Sequence, residues 1–160
     1  MKLNDLIQEL KESSAYKEFT SKNPQSYLCA GFFILDLKHS KKDQIQFDFF
    51  LPDQNKIAAF EYPFDKSKVF DDIVPQIKPL DTNIKIDLDQ LDDKCAQILK
   101  DNKTSLVPSK IISILKEDVW TLTCMDDMLG MSTIKLNSKT EELISFKKGS
   151  LMDFMGVKKK

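Results

Sequence analysis

Few residues in this chain could do chemistry. There is one histidine, His39, and it stands among Lys38, Ser40, Lys41 and Lys42. A catalytic triad needs an imidazole oriented by a carboxylate and set beside an activated nucleophile, and neither partner is visible, so His39 reads as a solvated turn residue. Cys29, Cys95 and Cys124 lack the local pairing that pre-organises a thiolate metal site. Cys95 falls on the apolar stripe of an expected helix and Cys124 on the Trp120 face of an expected strand, so buried thiols are the reading. Asp71-Asp72, Asp92-Asp93 and Asp126-Asp127 put acids side by side. Acid/base catalysis needs carboxylates in contrasting environments facing one cleft. No stretch fits a calcium loop, and four glycines, Gly31, Gly130, Gly149 and Gly156, make no phosphate cradle. The sequence therefore assigns no catalytic residue, no metal ligand and no cofactor. An enzyme is not expected unless a deep polar pocket assembles in three dimensions.

Two stretches look suited to contact rather than catalysis. Met125-Asp126-Asp127-Met128-Leu129-Gly130-Met131 puts adaptable apolar side chains near a hairpin tip, so Met125, Met128, Leu129 and Met131 are candidate partner-binding residues. Packing under a neighbouring segment is the alternative. Near the C-terminus, Leu151, Phe154 and Met155 precede Lys158-Lys159-Lys160 in a pattern that resembles the short peptides that dock on DNA sliding clamps. Lys148 replaces the glutamine of that pattern and Met155 one of its aromatics. The resemblance implies a clamp accessory factor, and the alternative is a terminal turn closing the sheet.

Leu3, Leu6, Ile7 and Leu10 recur at helical spacing, and a second short helical piece spans 15–20 before Asn23-Pro24 stops it. Strands follow over 26–37, 44–51 and 56–62, the second alternating Ile45, Phe47, Phe49 and Leu51 against Gln44, Gln46 and Asp48. Pro63, Pro75 and Pro79 mark 63–85 as a linker without a long regular element. Asp87, with Gln90 three residues on, reads as the N-cap of a helix carrying Leu88, Leu91, Cys95, Ile98 and Leu99. Strands are expected again over 119–124, 131–136 and 142–147, while 111–115 fits strand or helix. Thr121 and Thr123 facing away from Trp120, Leu122 and Cys124 is the pattern of a sheet wet on one side.

The fold class that follows is α+β, with two helix-plus-antiparallel-sheet units, 1–80 and 81–160, whose helices pack on one sheet face. The hairpins at 51–60 and 136–146 echo each other. Residues 87–146, through the acid-capped helix, Val119-Trp120 and above all Ile134-Lys135-Leu136-Asn137-Ser138-Lys139-Thr140-Glu141-Glu142-Leu143-Ile144, resemble the PepSY type of small, cystatin-like domain. Asn137 stands where that family has Asp, and Glu141 where it has a turn glycine that tolerates positive φ. The resemblance implies a domain that binds or modulates other proteins, and it carries over no catalytic residue.

The 160 residues hold 24 basic and 25 acidic side chains, so no global field draws the chain to nucleic acid or an anionic membrane. All the basic residues are lysine, and without arginine the bidentate fork for phosphate or guanine is missing. No apolar run reaches the ~20 residues that span a bilayer. The odd, scattered cysteines suit a reducing cytoplasm. The reading is a cytoplasmic, non-enzymatic module that binds a protein or peptide or self-associates through a sheet edge, with no membrane and no direct nucleic-acid contact.

Overall fold

The computed structural model describes residues 2–38, 44–128 and 130–150. The chain opens with helices α1 (Leu3–Glu12) and α2 (Ser14–Lys22), turned on Ser13, whose hydroxyl oxygen accepts from the Tyr16 amide. Four strands follow, β1 (Tyr27–Asp36), β2 (Gln44–Leu51), β3 (Lys56–Glu61) and β4 (Ser67–Val69). After a linker, a 3-10 turn at Leu88–Gln90 leads into α3 (Leu91–Asp101) and strands β5 (Lys110–Lys116), β6 (Val119–Met125), β7 (Gly130–Asn137) and β8 (Leu143–Ser150).

Each half is a meander, and the two join where β1 lies antiparallel to β5, from Ala30 opposite Lys116 to Asp36 opposite Lys110. The result is one antiparallel sheet of order β4-β3-β2-β1-β5-β6-β7-β8. Residues 111–115, ambiguous by periodicity, are strand: Ile111, Ser113 and Leu115 are buried, and Lys110, Ile114 and Lys116 are exposed. The linker reading needs one correction, because Ser67–Val69 pairs with β3. At three exposed residues β4 is too short to offer a long unpaired edge. The last strand also runs past the expected 147, to Ser150.

All three helices cover the same sheet face. Leu3, Leu6, Ile7 and Leu10 of α1, Phe19 of α2, and Leu91, Cys95, Ile98 and Leu99 of α3 share one buried cluster with Phe33, Phe47, Phe60, Leu115, Trp120, Leu122 and Leu136. Burying each such side chain contributes about 1.5–3 kcal/mol, so this face supplies most of the driving force. Gly31 lies on it beneath the Phe33 ring: a β-carbon there would stand 2.7 Å from Cζ of Phe33 and 3.7 Å from the Phe47 ring. Gly31→Val must displace the Phe33 ring and is expected to cost about 1–3 kcal/mol, read as a lower urea midpoint.

Asp87 caps as expected and also reaches further. Gln90 Oε1 accepts from the Asp87 amide, and Asp87 Oδ1 accepts from the amides of both Leu88 and Leu3. One carboxylate thus serves the N-termini of two helical segments from opposite halves of the chain. The linker contributes its own packing. Val74 and Ile77 pack against Tyr27, Cys29, Ala30, Phe50 and Ile57, and the Tyr27 hydroxyl donates to the Ile77 carbonyl. The Leu80 amide then bonds to Leu28 O, and Ile84 and Ile86 enter the helix-side core. The linker therefore passes round the Tyr27 end of the sheet from one face to the other.

Candidate functional site: the open sheet face

Alternation assigns every strand residue to a face, and residues opposite one another in register share it. Most of the buried side chains are on the helix side, whereas Cys29, Ala30 and Phe50 are buried beneath the linker on the other. Across the other side one row runs Gln46, Phe32, Ile114, Thr121, Lys135, and the next runs Gln44, Ile34, Ile112, Thr123, Thr133, Lys147. Phe32, Ile34, Ile112, Thr121 and Thr123 are half-buried, and Ile114 is 36% exposed. On the first half the linker covers Phe50 and Ala30, whereas among the described residues no helix or linker cluster covers Ile112, Ile114, Thr121 or Thr123.

The methionines of the expected tip divide between two settings. Met125 and Met131 stand opposite each other in register, half-buried, in the row that contains Lys110. Met128 is at the turn and 86% exposed. The turn is held by Asp126, whose Oδ1 accepts from the amides of Met128 at 2.8 Å and Gly130 at 2.6 Å, and the Lys38 ammonium is paired with Asp127. So the structure brings Met125 and Met131 to the open face and sets Met128 at its margin. Leu129, Leu151, Phe154 and Met155, and with them the clamp-peptide reading, lie outside the described residues, as does His39.

The groups with chemical potential are subdued. Cys29 Sγ donates to the Asp48 carbonyl at 3.3 Å. Burial pushes its thiol up to about 12, with the Asp48 charge adding to the rise and Lys116 opposing it, so the thiolate a nucleophile requires is scarce at neutral pH. Cys95 and Cys124 are fully buried in the helix-side core. Their mutual hydrogen bond, then burial, holds Cys95 far above the ordinary thiol range. The three cysteines do not converge, and no metal-binding group of His, Cys, Asp or Glu occurs among the described residues. An open groove of about 480 Å³ is lined by Phe32, Gln44, Gln46, Glu61, Tyr62 and Pro63, with Glu61 its one carboxylate among the described residues.

Asp48 gives a pH test. Burial raises its carboxyl above the usual range, only partly offset by the hydrogen bond from Gln46. Because the folded state holds this proton more tightly than the unfolded chain, its stabilising contribution is full below the unfolded value. That contribution is lost as pH rises through the folded value. Asp48→Asn is therefore expected to raise the melting temperature at neutral pH and to converge with wild type at acid pH. Parallel melting curves across that range would contradict the burial argument.

The turn after β7 has the local bonds expected of Asn137: its Oδ1 accepts from the amides of Lys139 and Thr140. Glu141 holds φ at 68°, where a β-carbon is strained. Glu141→Gly is expected to raise stability by about 0.5–1 kcal/mol, seen as a higher denaturant midpoint at unchanged slope.

The class these features define is an α+β protein in which, among the described residues, helices lie on one face of an eight-stranded antiparallel sheet and the opposite face is partly open. No protein-family model matches the chain, and no curated protein resembles it significantly in sequence. Among solved structures it is similar to the crystal structure of a putative lipoprotein from Clostridium difficile 630, with TM-score 0.52 and 14% identity over 84% of this chain and 90% of that one. At that identity the likeness is one of fold. Among the described residues no helix is long and apolar enough to cross a membrane.

Which residues form this face was only partly readable. Thr121 and Thr123 announced themselves by alternation, but Phe32-Phe33-Ile34-Leu35 and Ile111-Ile112 are apolar on both sides and give no period of two. Their outward members show only in the register.

Proposed function

We propose that the chain is a non-enzymatic, cytoplasmic module that binds a protein or peptide on the open sheet face, with Met125 and Met131 as part of the surface and Met128 at its rim. The observation that carries this reading is a contiguous set of apolar side chains, Phe32, Ile34 and Ile112 half-buried and Ile114 exposed, outside the core clusters of the described residues. A face with no need of a partner would ordinarily present polar residues at these positions. The PepSY-like likeness supports the same reading through its helix-on-sheet order and the Asn137 to Glu141 turn, and the three free cysteines support a reducing compartment. Self-association through the edge of β8, which pairs with no further strand among the described residues, competes with it, though Lys147 and Lys148 on that edge disfavour strand addition.

The test compares proteins retained by immobilised wild type, by the face variant Ile114→Asp with Met125→Asp, and by the edge variant Ile144→Asp. Specific partners are expected on wild type and the edge variant and lost from the face variant. Retention by the folded face variant at wild-type levels would sink the reading.

A further inference from the structure

The open face of the second half has a charge pattern as well as an apolar centre. Its outward positions include Lys110 and Lys116 at the two ends of β5, Lys135 on β7 and Lys147 on β8, all exposed. No outward position of β5, β6, β7 or β8 is acidic. Asp36 of β1 stands opposite Lys110 on this face, so in a chain whose acids and bases almost balance the basic segregation belongs to Lys116, Lys135 and Lys147. Lys116, Lys135 and Lys147 form no ion pair among the described residues. They frame Ile112, Ile114, Thr121 and Thr123.

Strands lie about 4.8 Å apart and rise about 3.4 Å per residue, so Lys116 on β5 and Lys147 on β8, three strands and four register positions apart, are separated by about 20 Å diagonally across the sheet. An α-helix with side chains is about 10–12 Å wide and fits between them. We infer that the partner presents an acidic amphipathic helix, laying an apolar stripe on Ile112, Ile114, Thr121 and Thr123 and its flanking carboxylates against Lys116, Lys135 and Lys147. The inference rests on the open-face reading above. A single-stranded nucleic acid fits less well, because it calls for aromatic stacking platforms and no aromatic stands at an outward position of β5, β6, β7 or β8 among the described residues.

The experiment pans a displayed library of random helical peptides on the full chain. Enriched peptides are then measured against wild type and the triple variant Lys116→Glu, Lys135→Glu, Lys147→Glu. The same titrations use a single-stranded oligonucleotide and phosphatidylserine vesicles. Enriched sequences are expected to combine an i, i+3, i+4 apolar stripe with flanking Asp or Glu, to bind the folded triple variant at least about tenfold more weakly, and to weaken as salt rises. Enriched peptides without acidic excess, or with equal affinity for the triple variant, would overturn the acidic partner while leaving the open face as a binding surface. Binding of oligonucleotide or vesicles, abolished by the triple variant, with no peptide enriched, would overturn it in favour of another anion. Failure of all three to bind would count against the open-face reading itself.

Discussion

Trp120→Ala is expected to lower stability by about 3–5 kcal/mol, the largest effect of any single truncation considered for this fold. Trp120 is the chain's one tryptophan and is fully buried in the row Leu115, Trp120, Leu136, with its ring 5.8 Å from that of Phe33 across the β1–β5 junction. It therefore packs the two halves of the sheet against each other. Its indole Nε1 also donates to the Ile86 carbonyl at 2.9 Å, which fastens the end of the linker to β6. For a chain of this size 1 kcal/mol corresponds to roughly 2–4 °C, so the melting temperature should fall by about 6–20 °C. Trp120→Phe keeps most of the volume but leaves a carbonyl unpaired, and is expected to cost about 1–3 kcal/mol. If both variants melt within a degree or two of wild type, the linker and the junction are not held as described.

Asp87→Ala should follow at about 1–3 kcal/mol, more than an ordinary cap, because the amides of both Leu3 and Leu88 lose their acceptor. Asp87→Asn retains an amide oxygen and should recover much of the loss. Hydrogen exchange separates this from a local effect: protection is expected to fall at the start of α1 as well as at the 3-10 turn before α3. Faster exchange in α3 alone would show that the bond to Leu3 contributes nothing.

Much of this architecture was legible because single residues spoke for it. Leu3 through Leu10 defined α1, Asp87 and Gln90 the start of the second helical segment, and Ile45 through Leu51 the strand whose face is now seen under the helices. What stayed hidden depended on pairing between distant segments. Nothing local in Gly31 announces that two phenylalanine rings cover it, and nothing in Asp87 announces the Leu3 amide 84 residues away. The open face was hidden for a related reason: β1 and β5 carry apolar residues on both sides, so their sequences are those of central strands whatever covers them. The lysine frame could be seen only once the register placed Lys116, Lys135 and Lys147 on the same side. The methionine stretch was found from sequence but its division was not, since which methionines join the open face depends on where the Asp126 turn begins.

The central claim is that binding takes place on the sheet face opposite the helices, and methyl NMR of the full chain tests it most directly. A peptide enriched on the protein, or a partner retained by it, is titrated in while the isoleucine, threonine and methionine methyls are followed. The account predicts shifts at Ile112, Ile114, Thr121, Thr123 and Met125, with Ile7 and Ile98 beneath the helices unchanged. Shifts centred on the helices, on Ile144 at the β8 edge, or nowhere on the open face would contradict it.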